Sequence, residues 1–176
     1  MRFARVVLLC IAMIGARAYA QSEAPSVMKE DQVSQRALID ALTPVQPVRT
    51  RSLRVVREAP VAGPPPTASL LVTFDTNSAR LTPAARKALD VVAQALGSDQ
   101  LAGHRFMIEG HADPRGTADA NLKLSRERAE AVRDYLGSKG IDQARLQALG
   151  KGDKELIKPA DPAAPENRRV TFVTVQ

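Results

Sequence analysis

The segment Gly110–Gly116, with the sequence GHADPRG, holds the polar residues whose types and spacing come closest to a chemical site. His111 and Asp113 are separated by one residue, as a general base and its orienting acid, or the first two ligands of a metal site, can be. Neither arrangement is completed, because His104 is the other histidine, Cys10 is the single cysteine, and no G-x-S-x-G nucleophile motif is present. The sequence therefore predicts no catalysis, no metal site and no cofactor.

A helix is predicted over residues 119–139, and its pattern places an arginine among apolar residues. At about 100° per residue, one half of the helix surface carries the apolar side chains Leu122, Leu124, Ala129, Ala131, Val132, Tyr135 and Leu136. Asn121, Ser125 and Arg128 fall within that same half, towards the helix N-terminus. A guanidinium directed at the core is costly unless an anion pairs with it, and Asp113 is the nearby acid in the sequence.

Two interpretations of Arg128 follow, and the helical pattern leaves both open. In the first, Arg128 and Asp113 form an internal ion pair that only ties the loop to the helix. In the second, the pair is half exposed and opens to bind a zwitterion, whose ammonium contacts Asp113 while its carboxylate contacts Arg128 and free amides at the helix N-terminus. Gly110 and Gly116 would allow a close approach of such a ligand to the backbone.

The elements that must position these residues are those of an α/β domain over residues 69–176. Thr82 and Pro83 predict the start of a helix that Gly97 ends. The remaining pattern predicts an irregular, Pro-rich connection over 151–166 and strands at about 70–74, 105–109, 146–149 and 170–175. The resulting order is βαβαββ, which implies a partly parallel, mixed sheet with its helices packed on a face.

The first residues predict a cleaved signal peptide over residues 1–20. Arg2 and Arg5 precede an apolar run, and Ala18-Tyr19-Ala20 is typical of a cleavage site. The alternative, an uncleaved anchor, is disfavoured because the run is shorter than the roughly 18 to 20 apolar residues of a spanning helix. Lipid attachment at Cys10 is disfavoured, because Leu9 precedes this cysteine where a lipid-attachment motif has a small residue. Cleavage would leave no cysteine, and therefore no disulfide.

Composition argues against nucleic-acid binding. The formal net charge of +6 falls to +3 once the three arginines of the leader are removed. The mature chain has no tryptophan, and its few aromatic residues are too scattered to form a base-stacking platform. We expect contact with a membrane to be at most indirect.

Residues 21–68 are predicted to be a flexible Pro- and Arg-rich linker. A short amphipathic helix is possible over 32–42, with its stripe formed by Val33, Leu38, Ile39 and Leu42. A basic stretch and an extended spacer follow, comprising Arg49, Arg51, Arg54, Arg57 and Gly63–Pro66. The alternative is that this stretch docks to the wall or to an envelope protein partner.

Several spaced motifs together resemble the OmpA-like peptidoglycan-binding domain, which also occurs in peptidoglycan-associated lipoproteins. The matching residues are Asp75–Ser78, Gly110–Asp113, Gly116, Asn121, Leu124–Ser125, Arg128–Ala129, Gly150–Gly152 and Asn167–Val170. The resemblance covers residues 69–176. Ala112 departs from it, since threonine is commonest at that position, and the lipid-attachment cysteine of the lipoprotein branch is missing.

The resemblance implies non-covalent binding of the meso-diaminopimelate of Gram-negative wall peptides. Asp113 and Arg128 match the residues that hold the charged end of that amino acid, and the other implied site residues are Asp75, Thr76, Asn77, Asn121 and Arg168, or Arg169 in its place. The implied location is the periplasm, at the wall or at the outer membrane. The alternative is an interaction scaffold in which the basic N-terminal segment binds a protein partner and the C-terminal domain docks it to the wall.

Overall fold

The computed structural model describes residues 27–44, 64–75 and 78–175, and the predicted leader lies outside them. Five strands form one mixed sheet: β1 (Val27–Met28), β2 (Thr67–Leu70), β3 (Arg105–His111), β4 (Leu146–Gly152) and β5 (Val170–Val175). Their order in the sheet is β1-β2-β5-β3-β4. β1 is parallel to β2 and β3 is parallel to β4, whereas β5 lies antiparallel between β2 and β3.

Three helices accompany the sheet: α1 (Gln35–Leu42), α2 (Pro83–Leu96) and α3 (Ala118–Ser138). The predicted order βαβαββ is confirmed as β2-α2-β3-α3-β4-β5. Hydroxyl caps start α2 and α3, because Thr82 Oγ1 accepts from the Ala85 amide and Thr117 Oγ1 accepts from the Ala120 amide. The helices cover one face of the sheet, and the core between them contains Leu70, Leu89, Val92, Leu96, Phe106, Ile108, Val132, Leu136 and Phe172.

The first strand of the domain lies earlier than predicted. The sequence predicted a strand over residues 70–74, whereas β2 ends at Leu70 and Phe74 forms only a single bridge, with Leu81. Beyond β2, the Thr73 amide and hydroxyl donate to a carboxylate oxygen of Glu30, at 2.7 and 2.8 Å. Further along, the Ser78 carbonyl accepts a hydrogen bond from Arg128 of α3.

The N-terminal helix is confirmed, but it starts at Gln35, where Ser34 caps it. Leu38 and Leu42 are fully buried in the domain core, and Thr174 Oγ1 donates to the Leu42 carbonyl at 2.7 Å. The expectation of a solvated linker is therefore wrong for residues 27–44, which add β1 and α1 to the domain. The basic stretch over 45–63 lies outside the described residues.

Helix α3 approaches the ends of β3 and β4 so closely that only glycine fits between them. A Cβ atom at Gly110 would lie 2.1 Å from the Ser125 carbonyl oxygen, and one at Gly150 would lie 2.8 Å from the Arg126 amide. This contact fixes the N-terminal half of α3 over the strand ends. Among the described residues, no helix has the length and apolar content needed to cross a bilayer.

Candidate ligand-binding site

A cavity of about 940 Å³ opens where the loops after β2 and β3 meet the N-terminal half of α3. This volume falls in the range of small-molecule sites. Its lining comes from three places in the chain and comprises Phe74, Asp75, Ala112, Asp113, Arg115, Gly116, Ala120, Asn121, Lys123, Leu124, Glu127, Arg128 and Arg168. The cavity therefore exposes acidic and basic side chains together, as a zwitterion-binding site requires.

Asp113 lies in the turn between β3 and α3, where its side chain is buried. Gly116, with a φ of +104°, takes the left-handed conformation that allows the chain to turn into α3. The Asp113 carboxylate accepts hydrogen bonds from Arg115 Nε and Nη2 at 3.0 and 2.7 Å, from the Arg115 amide at 3.1 Å, and from Arg168 Nη1 at 2.9 Å. These contacts, with Arg115 foremost, hold the pKa of Asp113 well below its usual range.

Arg128 is half buried on the other side of the cavity. Its Nε donates to the Ser78 carbonyl at 3.2 Å, and its guanidinium carbon lies 4.9 Å from the centre of the Phe74 ring. Burial lowers the pKa of Arg128, and the positive charge of Arg168 lowers it further. Arg128 nevertheless remains a cation.

The ion pair between Arg128 and Asp113 considered from the sequence does not form. Within the described parts of the chain, no carboxylate oxygen comes within 4.0 Å of the Arg128 guanidinium. The sequence predicted that Asp113 would contact Arg128. The Phe74 ring and the Ser78 carbonyl, both from the chain after β2, contact the guanidinium instead. The cation is held in place without being neutralised, and it faces the cavity.

Two polar residues on the apolar half of α3 have structural partners. Ser125 Oγ donates to the Leu122 carbonyl and accepts from the Gly152 amide at 2.9 Å, which joins α3 to the end of β4. Asn121 Nδ2 donates to Asp153 Oδ2 at 3.1 Å, and Asn121 also lines the cavity. Leu122, predicted to be on the buried half, is 42% exposed.

Arg168 and Arg169 point to different surroundings, although the sequence could not separate them. Arg168 lines the cavity and contacts Asp113. Arg169 is buried elsewhere and donates to the Glu155 carbonyl at 3.1 and 3.2 Å. Of the predicted site residues, the cavity thus brings together Asp75, Asp113, Asn121, Arg128 and Arg168. Thr76 and Asn77 lie outside the described residues.

Sequence reasoning missed Arg115 and Phe74, the cavity residues that contact Asp113 and Arg128. Arg115 belongs to the same loop as Asp113, and its position two residues further on was the available signal for a local ion pair. Phe74 was assigned to a strand, and only the early end of β2 frees its ring to lie under Arg128.

The spaced motifs and the fold have counterparts among known proteins. A model of the OmpA family matches residues 73–170. The chain belongs to the OmpA family. A curated relative of this family member, the peptidoglycan-associated lipoprotein of Rhizobium meliloti, is 36% identical over 104 residues, which are 58% of this chain and 58% of the relative. The chain thus spans little more than half the length of that relative.

Solved structures support the same fold for this OmpA domain. The crystal structure of the peptidoglycan-associated lipoprotein from Burkholderia pseudomallei is 32% identical, with a TM-score of 0.51, and the match covers 61% of this chain and 89% of that one. An OmpA-like domain from Francisella tularensis, 24% identical, has a TM-score of 0.53 over 62% of this chain and 70% of its own. The mixed α/β fold predicted from the sequence is therefore confirmed.

Proposed function

We propose that this OmpA domain binds peptidoglycan non-covalently at the cavity and holds the protein at the wall, in the periplasm or at the outer membrane. The names of its relatives associate them with peptidoglycan, which supports this ligand class. The proposed recognition breaks no bond, and it needs only groups that position and hold charge.

One observation carries the proposal: a carboxylate, Asp113, and a guanidinium, Arg128, line the same cavity without pairing with each other. Asp113 is ionised and Arg128 has no carboxylate partner among the described residues, so each can take one charge of a ligand. Meso-diaminopimelate in a stem peptide carries an ammonium and a carboxylate on one carbon. Its ammonium would contact Asp113 and its carboxylate the planar fork of Arg128.

The supporting rim of the proposed site comes from the loop after β2 and from α3. Asp75 and Asn121 line the cavity, and Thr76 and Asn77 follow Asp75 in the sequence. Arg168 would keep the Asp113 carboxylate in place while a ligand binds, since it contacts one oxygen of that carboxylate at 2.9 Å.

Co-sedimentation of the full chain with diaminopimelate-type peptidoglycan tests the proposal. We expect Asp113→Asn and Arg128→Gln each to weaken binding at least tenfold, on the order of 1.4 kcal/mol or more for a charge-assisted hydrogen bond. Asp134→Asn and Arg126→Gln are matched controls, because these side chains are 60% and 71% exposed on the same helix. Equal binding by all four variants, with circular dichroism showing folded protein, would overturn the assignment.

Titration with stem peptides identifies the recognised group. A diaminopimelate peptide should bind more tightly than its lysine analogue, which lacks the side-chain carboxylate that Arg128 would bind. Binding should also weaken with added salt, since the proposed contacts are ionic. Equal affinities for the two peptides would remove diaminopimelate from the proposal and leave the wall as the ligand class.

A further inference from the structure

Glu109, His111 and Glu155 bring three possible metal ligands together, separate from the ligand cavity. One donor atom from each residue lies within 4.8 Å of the others. Gly110, between the first two, faces α3, as the 2.1 Å clash of a Cβ with Ser125 shows. Since side chains alternate along a strand, Glu109 and His111 point to the opposite face of the sheet. Sequence spacing did not reveal this cluster, because Glu155 arrives from the connection after β4.

His111 is a buried side chain whose ring nitrogens make no hydrogen bond within the described part of the chain. It is 2% exposed, and among the described residues neither ring nitrogen has a hydrogen-bond partner. Buried polar atoms are almost always satisfied by a protein group, a water molecule or an ion, so the ring nitrogens of His111 are available to bind one of these. His111 Nε2 faces the cluster, at 4.0 Å from Glu109 Oε2.

The backbone pairing beside His111 is irregular. The register of β3 and β4 shifts between Gly110 and His111, and such irregularities commonly redirect a side chain.

Lys151 forms ion pairs with both carboxylates of the cluster, Glu109 and Glu155. Its Nζ lies 3.2 Å from Glu109 Oε1 and 3.0 Å from Glu155 Oε1, and its side chain is 27% exposed. The ammonium can therefore swing into solvent and leave its place to a cation. Arg169 stays nearby through its contacts with the Glu155 carbonyl, and its charge would limit the affinity for a dication.

We propose that Glu109, His111 and Glu155 form a binding site for a divalent transition-metal ion of the zinc type. One imidazole and two carboxylates are a ligand set that zinc accepts, with the remaining position taken by water. The bound ion would tie the connection that carries Glu155 to the end of β3, next to the turn that holds Asp113. Its role would be structural.

Calorimetric titration of the full chain with zinc tests the site, with Cys10→Ser in every arm because a thiol binds zinc itself. We expect one zinc ion to bind, and His111→Asn and Glu155→Gln to weaken binding at least tenfold. Lys151→Met should tighten it, since the competing ammonium is removed. His104→Asn, at the other histidine of the chain, is the matched control and should bind like the parent.

Thermal unfolding provides the second measurement. Zinc should raise the melting temperature of the parent and of Lys151→Met, and it should raise that of Glu155→Gln less. The Glu155 side chain is 52% exposed, so Glu155→Gln is expected to fold even if His111→Asn does not. Absence of zinc binding in both the parent and Lys151→Met, or equal binding by Glu155→Gln, would overturn the proposal. In that case buried water is the partner of His111.

Discussion

Arg115 covers the Asp113 carboxylate, with Nε 3.0 Å from one carboxylate oxygen and Nη2 2.7 Å from the other. The Arg115 side chain is 67% exposed, whereas that of Arg168, the second arginine on Asp113, is 35% exposed. Arg115 is thus the arginine that can leave. A ligand ammonium that binds Asp113 must first displace it, so the protein occupies part of its own proposed site.

Arg115→Ala is therefore expected to strengthen binding of a diaminopimelate stem peptide. The lost ion pair is largely exposed and worth about 1 kcal/mol or less, which predicts a gain of up to about fivefold. Calorimetric titration of the peptide measures the change, with Arg126→Ala as a control on the solvated face of α3. Weaker binding by Arg115→Ala would mean that Arg115 contacts the ligand directly.

The ring of Phe74 is expected to contribute to binding through Arg128. Phe74→Leu removes the aromatic face beneath the guanidinium, and a contact of this kind is worth about 0.5 to 2 kcal/mol. We predict a several-fold loss of affinity for the same peptide. Phe74→Tyr keeps the ring and should bind like the parent. If both variants bind equally well, the Ser78 carbonyl alone is enough to position Arg128.

Glycine at position 110 should be essential for stability. Gly110→Ala places a Cβ 2.1 Å from a backbone oxygen of α3, so helix and strand must separate, and we expect the free energy of unfolding to fall by about 3 kcal/mol or more. Gly103→Ala is the control, because a Cβ there meets nothing within 4 Å. Urea denaturation compares the two. Similar losses would show that α3 does not press on β3 as described.

His111 should make the fold sensitive to mild acid. Its pKa falls from an ordinary value of 6.5 to about 3 in the folded chain, so protons bind the unfolded chain first as the pH drops. The free energy of unfolding should therefore decrease between pH 6.5 and 3, by at most about 1.4 kcal/mol per pH unit. Chemical denaturation with a metal chelator present measures this slope.

His111→Gln cannot titrate and should flatten the pH dependence over that interval. Asp113→Asn provides the contrast, because the pKa of Asp113 lies below its ordinary value of 3.8 and its stabilisation is lost only below that pH. The Asp113→Asn variant should keep the slope of the parent above pH 3.8. Identical slopes in the parent and His111→Gln would contradict the assignment of a buried neutral imidazole.

Much of the fold was predictable because local signals and apolar periodicity agree. Caps and stops delimit α2, whose predicted start at Pro83 and end before Gly97 are confirmed. Periodicity could not predict how α1 packs, since its narrow stripe is compatible with either a solvated or a docked helix. Burial of Leu38 and Leu42 depends on the surface that α2 and the sheet offer, which sequence does not display.

Several residues that line the cavity were predictable from the sequence, but the contacts that those residues make were not. Helical spacing predicted that Arg128 is turned towards the interior. Its contacts come from Phe74 and Ser78, which are distant in the sequence and are brought to Arg128 by the fold. Neighbouring residues in an extended chain face opposite ways, so Arg168 and Arg169 could not be separated without the register of β5.

The N-terminal helix has a practical consequence for the choice of fragment limits. The family match begins at residue 73, and a fragment cut there would lack β1, α1 and β2. The cut would remove Leu38, Leu42 and Leu70, each 0% exposed, and leave apolar surface on the remaining core open to water. We expect such a fragment to aggregate. A recombinant piece beginning near Val27 should instead remain monodisperse.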